Sequence, residues 1–123
     1  MAYFRTSSAS NVGEEKDSLR RQQTAVNAFA SRQGYQTVDE FYDPAVSGSD
    51  AIEDRPGFAA LLDRIETNGV RTVIVEDLSR FAREMKAHVL GIALLRERKV
   101  RLLSASDGQD LTEDTEHHSF ARL

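Results

Sequence analysis

"RTVIVEDL", Arg71 to Leu78, is the stretch on which the fold reading turns. Its centre, Thr72 to Val75, is four consecutive β-branched residues. Such side chains lose rotamer freedom in a helix and fit the pleated surface of a sheet, so the run reads as a strand. Asn68-Gly69 just before it is a turn signal that bounds the strand on its N-terminal side.

Helical patterns flank this strand. Upstream, "FAALLDRIET" puts Phe58, Leu61, Leu62 and Ile65 on one face, with Pro56 suited to the first helical turn and Asp54 or Arg55 near the cap. Downstream, a helix is expected from about Ala82 to Arg98 with Met85, Val89, Ile92 and Leu95 inward. "VRLLSA", from Val100, is the next strand and "SDGQDLTEDT" the next loop.

Towards the N-terminus, Gln36 to Tyr42 reads as a strand anchored by Val38 and Phe41. Before it, "LRRQQTAVNAFASRQ" has Leu19, Gln22, Val26, Phe29 and Ala30 at helical spacing, with Asp17 and Ser18 as caps and Gly34 as the terminator. "ASNVGEEK", Ala9 to Lys16, reads as a loop, and Met1 to Phe4 as a short first strand. "DPAVSGSDAIEDRPG" is dense in turn formers and reads as a long loop. The order β-α-β-α-β-α-β predicts an α/β fold with a mostly parallel central sheet and helices on both faces.

The chain has 123 residues, enough for one domain with its own core, and no cysteine, which excludes disulfides and thiolate metal sites. The longest apolar run is only as long as a strand, so no membrane span is expected, and nothing resembles an export signal. These features point to a cytoplasmic protein. The net charge of −4 argues against gripping nucleic acid by bulk electrostatics, so any such site has to be local. Asp107 to Glu116 holds five acidic residues and reads as a solvated loop. His88 is expected on the polar side of its helix. The adjacent His117 and His118 point different ways on a helix and make a poor metal pair.

In an open parallel sheet, ligands bind beyond the carboxyl ends of the strands. The four strand ends carry, in turn, Arg5, Ser7 and Ser8; Asp43, Ser47, Gly48 and Arg55; Glu76, Asp77, Ser79, Arg80 and Arg83; and Ser104, Ser106 and Asp107. Each alone reads as a loop or surface residue. Together they bring guanidinium groups and hydroxyls to one edge, and guanidinium matches phosphate oxygens two at a time. Arg80 and Arg83 also lie near a helix start, where cations oppose the helix dipole, which favours a bound anion beside them. Phosphoryl chemistry fits this set better than acyl transfer. No glycine-rich phosphate loop is present.

These residues resemble the serine recombinases: resolvases, invertases and large serine integrases. "YFRTSS" (Tyr3 to Ser8) resembles the family's Tyr-x-Arg-x-Ser-[ST] opening, and "SLRRQ" (Ser18 to Gln22) the block that opens its first long helix. "DPAVSGSD" and "DRPGF" resemble its Asp-x-x-x-Ser-Gly loop and its Arg-Pro helix start, and "VEDLSRFAR" its Asp-Arg-Leu-x-Arg region. Four blocks in order cover nearly the whole chain.

The resemblance implies that Ser7 attacks a DNA phosphodiester to form a 5′-phosphoserine bond and release a 3′ hydroxyl. Arg5, Arg80 and Arg83 would hold the scissile phosphate, with Arg55 a further active-site arginine. Tyr3, Gln22, Asp43, Ser47 and Asp77 would support them, and so would Ser79, which stands where the family usually has aspartate. The resemblance implies no cofactor and no metal. Its partners would be double-stranded DNA at specific sites and, in a full-length protein, further copies in a dimer and a tetrameric synapse. "EHHSFARL" reads as the start of a helix, so a catalytic domain cut near its dimerisation helix, without the DNA-binding domain, is expected. Two other readings are a non-catalytic relative with this fold, and a receiver-type domain phosphorylated at Asp77.

Overall fold

The computed structural model describes residues 1–6, 12–43, 55–81 and 85–112, with the backbone alone at 12–16, 68, 79, 80, 85 and 86. Four strands, β1 (Ala2–Arg5), β2 (Glu40–Asp43), β3 (Thr72–Val75) and β4 (Arg101–Ser104), form one sheet in the order β2-β1-β3-β4. All three pairings are parallel. The described helices are α1 (Val12–Gln33), α2 (Pro56–Asn68), α3 (Leu78–Phe81) and α4 (Met85–Glu97). The α/β architecture with a parallel sheet is as the sequence predicts.

Side-chain alternation along the strands divides the core in two. Tyr3, Val73, Val75 and Leu102 face one side and pack with Phe58, Leu61 and Ile65 of α2, Phe81 of α3, and Ile92 and Leu95 of α4. Ala2, Phe4, Ile74 and Leu103 face the other side and pack with Val26, Phe29 and Ala30 of α1. Helices therefore cover both faces, which is what a parallel sheet needs. Among the described residues no helix is long and apolar enough to cross a membrane.

Several boundaries differ from the sequence reading. The first strand takes in Arg5, because β1 pairs residue for residue with β2 from Ala2↔Glu40 to Arg5↔Asp43. That four-residue ladder also limits β2 to Glu40–Asp43 rather than Gln36–Tyr42. Val38, read as an apolar anchor, lies before the ladder and is 56% exposed. Helix α1 is described from Val12, inside the stretch read as a loop.

The helix expected from about Ala82 to Arg98 is found as α4, Met85–Glu97, and its first residues, 82–84, lie outside the described residues. Val89, read as inward, is 58% exposed. The sequence offers two overlapping stripes here, and the one running through Ala87, Ile92 and Leu95 is buried. Ala87 and Gly91 are both buried on that side. His88 is half-buried rather than solvated. The Gly34 terminator is as expected: its φ is +79°, and the Tyr35 N–H closes on the Ala30 carbonyl at 2.8 Å.

Candidate active site at the carboxyl edge of the sheet

From β1 the chain goes through α1 to β2 at one edge, whereas β3 and β4 lie on the other side of β1. The strand order thus reverses between β1 and β3, and a crevice opens at the carboxyl ends of strands at such a switch point. Arg5 ends β1 at this place, and Glu76 and Asp77 directly follow β3.

The main chain at Arg5 is clamped. The Gln22 carboxamide accepts the Arg5 N–H at 3.2 Å and donates to the Arg5 carbonyl at 2.9 Å, imitating a neighbouring strand. Ser18, one turn earlier on α1, holds the same amide at 3.2 Å. Gln22 is wholly buried, so the polar contact replaces water and fixes the carboxamide. One residue on, the Thr6 N–H donates to the Asp43 carbonyl at 3.2 Å, and the Thr6 hydroxyl meets the Tyr42 hydroxyl at 2.8 Å. Both Arg5 and Thr6 are buried.

Asp43 is the second organising residue. Its carboxylate accepts the Gly57 N–H at 2.6 Å, the Phe58 N–H at 3.0 Å and the Tyr3 hydroxyl at 2.8 Å. Helix α2 is therefore capped from the end of β2 rather than by its own N-cap residue, Arg55, whose side chain makes no capping bond. Burial, and next the nearby Asp43 carboxylate, push the Tyr3 phenol well above its usual range, while Arg55 opposes the shift. Tyr3 is held as a neutral donor.

Arg55 is completely buried, and its Nη1 donates to the carbonyl of Phe81 in α3. The rings of Tyr3, Phe58 and Phe81 form an edge-to-face row, each pair 5.6 Å apart. Nearby, the exposed Arg21 of α1 approaches the half-buried Glu76 at 3.6 Å.

Of the residues the sequence singled out, Tyr3, Arg5, Gln22, Asp43 and Arg55 are brought into one buried polar layer under this edge, with Asp77 half-buried beside β3. Ser79 and Arg80 are on α3, described by backbone alone, and Ser7, Ser8, Ser47 and Arg83 lie outside the described residues. So do His117, His118 and the end of the acidic run. Its described part is structural: Asp110 binds Arg101 at 3.0 Å and the Thr112 N–H at 2.9 Å. Among the described residues no group of three or more acidic or histidine side chains is placed to hold a metal.

The sequence reading passed over Thr6 and Gly57. A glycine just inside a helix start, where alanine is the better helix former, is the signal that finds Gly57. A Cβ there would lie 2.8 Å from both the Asp43 Cγ and the Tyr42 carbonyl oxygen.

A family model, the resolvase N-terminal domain, matches residues 1–123. The chain belongs to that family. A resolvase-family site-specific recombinase from Streptococcus pneumoniae is 30% identical, with a TM-score of 0.77 over 98% of this chain and 80% of the other. The N-terminal catalytic domain of TP901-1 integrase is 26% identical, with a TM-score of 0.76 over 98% and 94%. The catalytic domain of ISC1926 TnpA, an IS607-like serine recombinase, shares the fold at 21% identity, with a TM-score of 0.68 over 98% and 75%. No curated protein matches the sequence. Family and fold make this resolvase-type chain a site-specific recombinase catalytic domain, a class that acts on DNA and self-associates.

Proposed function

We propose that this domain breaks and rejoins DNA strands at specific sites with Ser7 as the nucleophile. The Ser7 Oγ attacks the scissile phosphorus and gives up its proton. The P–O3′ bond breaks, the 3′ oxygen leaves as a hydroxyl, and the 5′ phosphate stays on the protein as phosphoserine. Attack by a 3′ hydroxyl of the exchanged strand reverses the step. One phosphate ester replaces another at each stage, so the bond energy is retained.

Charge builds on the phosphoryl oxygens in the transition state, and Arg5, Arg80 and Arg83 stabilise it. Losing one such stabiliser costs on the order of 10²–10³ in rate. Arg55, Tyr3, Gln22, Asp43, Ser47, Asp77 and Ser79 complete the site. Residues 1–123 are the catalytic unit; a dimerisation helix and a DNA-binding domain of a longer protein deliver it to double-stranded sites and assemble the tetrameric synapse. A cytoplasmic, nucleoid-associated location follows from that role. The observation that supports the reading is the clamped chain at Arg5 and Thr6, directly ahead of Ser7, at the switch point of the sheet.

A full-length recombinase carrying this domain, incubated with its DNA site, tests the reading. Covalent protein–DNA adducts are expected to vanish with Ser7→Ala and persist with Ser8→Ala. Equal adducts from both variants would contradict it.

A further inference from the structure

We propose that Arg55 is a positioning residue that fixes helix α3, and that it does not itself contact the scissile phosphate. The inference rests on the reading that Arg80 and Arg83 hold that phosphate. The Arg55 guanidinium donates to the carbonyl of Phe81, the residue after Arg80 in α3.

Both ends of the strut are anchored. The Arg55 backbone leads into α2, whose first N–H groups are held by Asp43 at the end of β2. At the other end, Phe81 is buried and its ring packs edge-to-face on Phe58 of α2, at 5.6 Å and 70°. The guanidinium thus lies beneath the site, between Tyr3 and α3, with the burial of its charge offset by the Phe81 carbonyl and the Tyr3–Asp43 pair. Removing it loosens the backbone of α3 directly after Arg80, and misplacing catalytic groups by about 1 Å costs roughly 10²-fold in rate.

The test uses the full-length recombinase with its DNA site, carrying either a normal phosphate or an uncharged methylphosphonate at the scissile position. A residue that neutralises phosphate charge becomes dispensable on the neutral substrate; a positioning residue does not. Arg55→Met, folded by circular dichroism and with unchanged DNA affinity, is expected to slow single-turnover cleavage about 10²-fold. The neutral substrate is expected to restore Arg80→Ala but not Arg55→Met. Arg55→Lys, which can still donate to a carbonyl, is expected to cleave faster than Arg55→Met, and it carries the substrate comparison if Arg55→Met does not fold. Restoration of the Arg55 variants on the neutral substrate, or undiminished cleavage by Arg55→Met, would overturn the proposal. An Arg80→Ala enzyme that cleaves normally would instead overturn the site reading beneath it.

Discussion

The Asp43 carboxylate accepts the Gly57 N–H at 2.6 Å, so the last residue of β2 caps a helix that starts well along the chain. The contact joins the sheet edge, the start of α2 and, through Tyr3, the first strand. It also leaves no room for a side chain at position 57.

Gly57→Ala therefore sets packing against propensity. Alanine is favoured in helices by about 1 kcal/mol, whereas overpacking against backbone costs about 1–3 kcal/mol. The neighbours a Cβ would meet include the Tyr42 carbonyl, which cannot swing aside. Net destabilisation is expected, read as a lower urea midpoint with unchanged slope. A higher midpoint would mean that the cap is loosely held.

The Tyr3–Asp43 pair is open to a double-mutant cycle. Tyr3→Phe removes one hydrogen bond to a buried carboxylate and is expected to cost about 1.5–3 kcal/mol. Asp43→Ala strands three donors and is expected to cost more, each buried donor left unpaired costing about 1–3 kcal/mol. Urea unfolding of the two single variants and the double should show a loss smaller than the sum. Strict additivity would separate the two residues.

Gln22→Glu keeps the size of the side chain but replaces the amide that donates to the Arg5 carbonyl with an oxygen. The expected result is at least a 10-fold loss in cleavage rate in a protein that still binds DNA, since misplacement at a reacting centre is costly. Single-turnover cleavage beside DNA affinity checks it. A wild-type rate would show that the clamp does not position the chain before Ser7.

His88 gives a pH prediction. Burial lowers its pKa below the ordinary 6.5. As pH falls below that value the unfolded chain takes up the proton first, so this contribution to stability is present above it and is lost on the way down through the folded value. The gap between His88→Gln and wild type should therefore shift in favour of the variant from about pH 7.5 to about pH 5.5, read by urea midpoints. A gap independent of pH would show His88 to be solvated in the folded state.

The strand at Thr72–Val75 was legible because four β-branched residues leave little alternative, and the strand-end rule gathered Arg5, Asp43 and Asp77 without any contact information. Val38 and Val89 misled for the same reason: apolar character marks a residue that can be buried, while the ladder length and the face that α4 turns to the sheet decide which one is. The β2–α2 cap was not legible. Asp43 and Gly57 lie 14 positions apart, and their pairing exists only once β2 and α2 are in place. Arg55 read as an active-site cation; its bond to a main-chain carbonyl of α3 has no signature in sequence.

The central claim is that Ser7 carries the DNA, and locating the attached nucleotide tests it most directly. Trypsin cuts after Arg5 and Lys16, so a trapped cleavage complex yields a peptide from Thr6 to Lys16 holding both Ser7 and Ser8. After nuclease trimming, fragmentation in the mass spectrometer is predicted to place a 5′-linked nucleotide on Ser7. A nucleotide on Ser8, on any other residue, or joined through a 3′ phosphate would contradict the account.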